Sequence, residues 1–179
     1  AIPELVISSF APKAEYQKET TGSDQSQLEM CKAIHLPLSD YAILKSLCES
    51  EGIGFMSTPF DLVSIDLLAE LGQDWMKVPS GEITNLPYLR KIAAAGIPVI
   101  LSTGMSTIDE IVDPVEILTG QSKKYPTASK LTKEDIILLH CNTEYPTPFC
   151  DVNLSAMEDI RRATGLRVGY SDHTVGIEV

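Results

Sequence analysis

Lys77-Val-Pro-Ser80-Gly81-Glu82 is the stretch of this chain richest in groups that can do chemistry. A lysine inside an apolar run is costly to bury unless an anion pairs with it. Ser80 and Gly81 after it suit a tight turn whose amides and hydroxyl face a phosphate. Glu82 sets a carboxylate beside that cation, where it can hold sugar hydroxyls or a water. The same residues also fit a strand-edge lysine that snorkels to solvent ahead of a plain turn. Further polar clusters close other short apolar runs: Ser57-Thr58, Ser102-Thr103-Gly104, His140-Cys141-Asn142-Thr143 and Ser171-Asp172-His173. Small hydroxyls with a glycine, as in Ser102–Gly104, fit phosphate contact, and equally a simple strand-to-helix turn. His173 is a candidate ligand for a divalent metal that Asp172 can orient, or else a structural histidine. His35 and His140 have no comparable setting and read as structural. Tyr145-Pro-Thr-Pro148 places two prolines after an aromatic, a stiff loop that can wall a pocket or merely connect.

Five short runs must position these clusters: Gly54–Ser57, Trp75–Val78, Pro98–Ser102, Asp135–His140 and Leu166–Tyr170. They mostly lack strict alternation, which suits strands buried on both faces of a parallel sheet. Helical patterns separate them. Ser39 can cap a helix running to about Gly52, and residues 62–71 carry an apolar helical stripe. Asn85 with Leu86-Pro87 opens a helix that ends at Gly96. Ser106 or Thr107 opens the next, with Asp109 and Glu110 in its first turn; Pro114 inside it is expected to kink or interrupt it. Ser155-x-x-Glu158 resembles a capping box for a helix stopping near Gly165. Residues 120–134 read as a polar surface connection, and residues 1–26 show little periodicity before a short helix that begins around Gln25.

Strand–helix alternation means an α/β fold with a parallel sheet. No G-x-G-x-x-G follows a strand, which weakens a dinucleotide-binding sheet. Polar groups at the ends of successive strands are the arrangement of a (β/α)8 TIM barrel. Such a barrel has eight strands over about 250 residues. With five runs in 179 residues, the expectation is one partial barrel domain over 1–179, a piece of a longer protein.

The net charge of −11 argues against a nucleic-acid partner but leaves room for a small anion held by one or two local cations. No apolar run approaches the length of about 18 residues needed to span a bilayer, and AIPELVISSF lacks the marks of a signal peptide. Cys31, Cys48, Cys141 and Cys150 have no metal-ligand spacing and read as reduced, small buried hydrophobes, pointing to a cytoplasmic protein.

Taken in order, Ser57-Thr-Pro-Phe60, Lys77-x-x-Ser-Gly-Glu82, Leu101-Ser-Thr-Gly-Met105, Leu139-His-Cys with Tyr145-Pro-Thr-Pro148, and Gly169-Tyr-Ser-Asp-His-Thr174 resemble the sialic acid synthase family over nearly the whole chain. The resemblance implies a (β/α)8 barrel followed by a small antifreeze-protein-like domain in a homodimer. It implies condensation of phosphoenolpyruvate with N-acetylmannosamine to give N-acetylneuraminic acid, with release of phosphate. A synthase for legionaminic or pseudaminic acid is the alternative within enzymes, and a non-catalytic binding module the alternative outside them. By resemblance, Thr58, Lys77, Ser80, Ser102 and Ser171 bind phosphoenolpyruvate, with Asn142 or Thr143 adding a phosphate contact. Phe60, Glu82 and Tyr145 face the amino sugar. His173 is one of two histidines for a divalent metal, manganese or magnesium. Lys77, Glu82 and His173 are the expected catalytic groups. The family's catalytic Glu and Lys-x-Gln of its first two strands, the second metal His of its eighth, and the C-terminal domain have no counterpart in these residues. The five runs then correspond to strands three to seven, and the 179-residue piece alone is expected to be inactive.

Overall fold

The computed structural model describes residues 1–22 and 25–179. The unpatterned stretch 1–26 therefore lies partly outside the described residues. The chain divides into two compact units: Ala1–Phe55 with Pro59–Gly72, and Met56–Thr58 with Gln73–Val179.

The first unit is helical: α1 Pro3–Val6, α2 Glu15–Thr21, α3 Gln27–Ile34, α4 Asp40–Ser50 and α5 Leu62–Glu70. Ser26 and Glu29 close a capping box on α3. Asp61 caps α5 through both carboxylate oxygens. They accept from the Ser64 amide at 2.8 Å, the Ser64 hydroxyl at 2.7 Å and the Ile2 amide at 2.8 Å. Burial alone would raise the Asp61 carboxyl, but these hydrogen bonds outweigh it and hold it below the ordinary carboxylate range. Ser39 precedes α4 without capping it. Its backbone is already helical (φ −60°, ψ −27°), and its hydroxyl donates to Asp40 instead. A capping side chain needs extended backbone to reach back to the first turn.

The second unit holds four parallel strands in sequential order: β1 Met76–Val78, β2 Val99–Ser102, β3 Ile136–Cys141 and β4 Arg167–Ser171. Helices α6 Leu86–Ala95, α7 Ile108–Leu118 and α8 Ala156–Thr164 alternate with them. The α/β fold with a parallel sheet is thus observed. The strand order never reverses among the described residues, so the crevice of a doubly wound sheet is not formed there.

One sheet face carries Met76, Val78, Val99, Leu101, Ile136 and Leu138, all with no solvent exposure. The buried stripes of the helices (Tyr88, Leu89 and Ile92; Ile111, Val115 and Leu118; Ile160) complete this core. The other face carries Lys77, Ile100, Ser102, Ile137, Leu139 and Cys141, set by the registers Lys77↔Ile100↔Ile137 and Ser102↔Leu139.

Several expectations change. Gly54–Ser57 forms no strand. The buried Gln73 carboxamide takes both backbone groups of Ser57, accepting from its amide at 3.1 Å and donating to its carbonyl at 3.4 Å, so a ladder partner is replaced by a side chain. The α7 helix runs through Pro114 uninterrupted, its apolar stripe buried around that residue; packing outweighs an intrinsic cost of about 3 kcal/mol. Ser155 makes no cap, because its backbone is helical (φ −64°, ψ −24°), and Glu158 pairs with Arg161. By contrast, Thr107 with Glu110 closes a capping box on α7. Asn85 caps α6 by accepting from the Tyr88 amide, and Gly96 ends α6 in the left-handed region at φ 67°.

Candidate active site at the carboxyl edge of the sheet

Parallel strands deliver their carboxyl ends to one edge, so residues far apart in sequence meet there. Lys77 lies on the less covered sheet face, opposite the apolar pair Met76 and Val78 that anchors β1 in the core. Its ammonium donates to the Ser102 hydroxyl at 2.7 Å and, more weakly, to the Val78 carbonyl at 3.4 Å. No carboxylate among the described residues pairs with it. Burial pushes the Lys77 ammonium below the ordinary lysine range, while the nearby Cys141 sulfur pulls the other way. An approaching anion would restore the charge that burial disfavours.

Ser80 opens a 3-10 turn, Ser80–Glu82, immediately after β1. Its hydroxyl accepts from the Gly104 amide at 2.9 Å and lies 3.4 Å from the Cys141 sulfur. Thr103 is held by β3, its amide and hydroxyl both donating to the Leu139 carbonyl. Thr143 also reaches this place: a Cβ on Gly104 would lie 2.8 Å from the Thr143 methyl. Ser171 pairs in register with Cys141 and so ends β4 at the same edge. Lys77, Ser80, Ser102 and Thr143 thus stand beside Gly104 and Cys141, a cation with hydroxyls suited to a phosphate.

The other expected site residues have the following surroundings. Asn142 is turned to the following loop, its amide donating to the Asp151 carbonyl at 3.1 Å, while its own oxygen is buried without a partner. Glu82 is half-buried and accepts from the Asn85 amide group at 2.6 Å. Tyr145 packs edge-on against His173, ring centroids 4.6 Å apart. The Thr147 amide donates to the His173 carbonyl at 2.8 Å, tying the loop after β3 to the loop after β4. Asp172 does not orient His173. Its carboxylate accepts from the amide and hydroxyl of Thr174, closing a local turn, and the His173 Nδ1 is buried without a partner. Thr58 is half-buried in the 56–58 segment. Phe60 belongs to the other unit and is 44% exposed.

A divalent cation needs several ligands. The unsatisfied His173 Nδ1 offers one, and no group of three or more His, Cys, Asp or Glu side chains converges among the described residues. These described residues alone do not make a metal site.

Cys141 is the participant that sequence reasoning overlooked. The spacing reads all four cysteines as small buried hydrophobes, but with Cys31 and Cys48 half-buried and Cys150 exposed, only Cys141 of the four is buried. Its parity with Leu139 on β3 nonetheless puts its sulfur on the Lys77 face, a signal available from alternation alone.

Fold and cluster together define an α/β domain whose parallel sheet gathers a cation and hydroxyls at its carboxyl edge. Residues 2–179 match the model of the NeuB family, and the chain belongs to that family. It is 49% identical over 173 residues to the N,N'-diacetyllegionaminic acid synthase of Campylobacter jejuni, covering 97% of this chain and 49% of that protein. It is 42% identical over 179 residues to the enzyme of the same name from Legionella pneumophila, covering 98% of this chain and 48% of that protein. The chain therefore spans about half the length of the curated relatives it matches. Among solved structures, the N-acetylneuraminic acid (sialic acid) synthetase of Leptospira borgpetersenii superposes with a TM-score of 0.76 at 31% identity, over 90% of this chain and 53% of that one. No helix among the described residues is long and apolar enough to cross a membrane.

Proposed function

We propose that the protein carrying this chain is a nonulosonic acid synthase of the legionaminic type. It would join phosphoenolpyruvate to a six-carbon sugar bearing two acetamido groups and release phosphate. The observation that carries the phosphoenolpyruvate half is the Lys77 ammonium, half-buried without a carboxylate and hydrogen-bonded to Ser102. The sugar half rests on the relatives named N,N'-diacetyllegionaminic acid synthase at 49% and 42% identity, which favour this product over N-acetylneuraminic acid.

In this reading the sheet is a run of consecutive strands of a (β/α)8 barrel. Its sequential parallel order supports that, since barrels place chemistry at the carboxyl ends of their strands. Lys77, Ser80, Ser102 and Ser171 neutralise and orient the phosphate, with Thr143 rather than Asn142 beside them. The enol carbon attacks the aldehyde carbon of the open-chain sugar and a carbon–carbon bond forms. The aldehyde oxygen takes up a proton. Water adds at the phosphate-bearing carbon, and the carbon–oxygen bond to phosphate breaks. Glu82 holds a sugar hydroxyl or that water, and Tyr145 packed on His173 forms a wall of the sugar pocket. A divalent metal held partly by His173, a cytoplasmic location and a homodimer belong to the same proposal.

Steady-state phosphate release by the longer protein tests it. With phosphoenolpyruvate and a divalent metal supplied, kcat/KM should be higher for the diacetamido sugar than for N-acetylmannosamine. A preference for N-acetylmannosamine would return the reading to sialic acid. Phosphoenolpyruvate binding without turnover of either sugar would favour the binding module.

A further inference from the structure

The loops after β1, β2 and β3 meet at one residue that carries no side chain. Gly104 donates its amide to the Ser80 hydroxyl at 2.9 Å. A Cβ there would lie 2.8 Å from the Thr143 methyl, 3.0 Å from the Ser80 oxygen and 3.2 Å from the Cys141 carbonyl oxygen. Side chains can yield a little, but the Cys141 carbonyl belongs to β3 and its backbone cannot. We propose that Gly104 is a positioning residue: its amide fixes Ser80 as a hydrogen-bond donor toward a bound phosphate group, and its missing side chain is the gap that lets the three loops close around that group.

The argument is one of hydrogen-bond polarity. A serine hydroxyl has one proton and two lone pairs. A lone pair aimed at an anion repels it, and the proton attracts it. The Gly104 amide occupies one of the two lone pairs of Ser80, which leaves its proton and a single lone pair and so shifts the balance toward donation. At rest that hydroxyl lies against the Cys141 sulfur at 3.4 Å, a weak partner that is cheap to leave. Ser102 is arranged in the same way, its oxygen occupied by the Lys77 ammonium. Both hydroxyls are therefore biased toward donation before any ligand arrives, which lowers the reorganisation that binding needs.

This inference rests on the phosphate-site reading above, so its test reads anion binding apart from turnover. The longer protein is titrated calorimetrically with inorganic phosphate, and its kinetics are measured with phosphoenolpyruvate and sugar. Gly104→Ala keeps the amide but its Cβ displaces it from Ser80, and it should raise the Kd for phosphate and the KM for phosphoenolpyruvate about tenfold, the loss of one well-aimed hydrogen bond to a charged group. Turnover at saturating phosphoenolpyruvate and the KM for the sugar should hold within about twofold. Ser80→Ala should have an effect of similar size, and the double variant should be little worse than either, since both act through one bond. Multiplying losses, or an unchanged Kd for phosphate in Gly104→Ala, would overturn the inference. A fall in turnover with a rise in the sugar KM, in step with a lower folded fraction, would also overturn it, showing a merely structural glycine. Should Gly104→Ala not fold, hydrogen exchange of the Gly104 amide decides. It should be slow in the wild type with or without phosphate and at least about tenfold faster in Ser80→Ala, and equal rates would overturn the inference. Phosphate binding that follows these variants without any synthase turnover would sink the proposed function and leave Gly104 in its role.

Discussion

Replacing Lys77 by methionine removes the one cation of the cluster while keeping most of the apolar stem. At an effective dielectric constant of about 20 and a separation of about 4 Å, a pair of unit charges is worth about 4 kcal/mol. The strand edge is open to water, which reduces the loss to about 2–3 kcal/mol. At about 1.4 kcal/mol per decade, kcat/KM for phosphoenolpyruvate should fall about 30- to 150-fold, with the KM for the sugar little changed. Stability should move the other way or not at all, because burial already disfavours this ammonium. Its folded pKa lies below its unfolded one. Between the two values the unfolded chain holds the proton that the folded chain has lost, so stability rises with pH across that window. If Lys77 binds phosphoenolpyruvate as proposed, that affinity should instead fall as pH rises through the folded value, below the ordinary lysine value of about 10.4. Initial rates across alkaline pH, for wild type and Lys77→Met, measure both effects. A loss of less than about threefold, or an alkaline limb that survives in Lys77→Met, would refute the electrostatic role.

Three further outcomes are expected from thermal or chemical denaturation. Thr107→Ala should cost about 1 kcal/mol by removing a formed capping box, whereas Ser155→Ala should cost almost nothing, and equal effects would contradict the backbone geometry described at the two positions. Leu101→Ala, at a position with no exposure between β1 and β3, should cost about 2–5 kcal/mol; a cost below about 1 kcal/mol would show that the sheet face is not packed as described. His140 is held below the ordinary histidine range chiefly by burial, against a hydrogen bond with the Asn153 backbone. As pH falls below about 6.5 the unfolded chain gains a proton that the folded chain refuses, so stability declines, and His140→Asn should flatten that decline. An identical acid slope in the variant would show that His140 does not cause it.

The candidate cluster was legible where polar groups sit at the end of an apolar run. Lys77, Ser102 and Ser171 each close or lie in such a run, and parallel strands bring those ends together. What the chain order hides is partnership. Nothing local says that Ser80 should meet Gly104, twenty-four residues on, or that Lys77 should reach Ser102. Asn142 and Thr143 were equal candidates because the choice depends on where β3 stops. The strand ends at Cys141, and the turn after it sends Asn142 to Asp151 and Thr143 to Gly104. Gly54–Ser57 has the composition of a strand, yet it forms none, and a distant glutamine satisfies the backbone of Ser57. Ser39 and Ser155 have cap chemistry on backbone that is already helical. In the first unit, α1 and α2 span only four and seven residues, too short to impose a period on the sequence.

The most direct test of the central claim is a crystal structure of the longer protein with phosphoenolpyruvate bound. The account predicts phosphate oxygens within about 3 Å of the Lys77 ammonium and the Ser80 and Ser102 hydroxyls, with the Gly104 amide still on Ser80. A phosphate bound elsewhere, with Lys77 still donating only to Ser102 and the Val78 carbonyl, would contradict it.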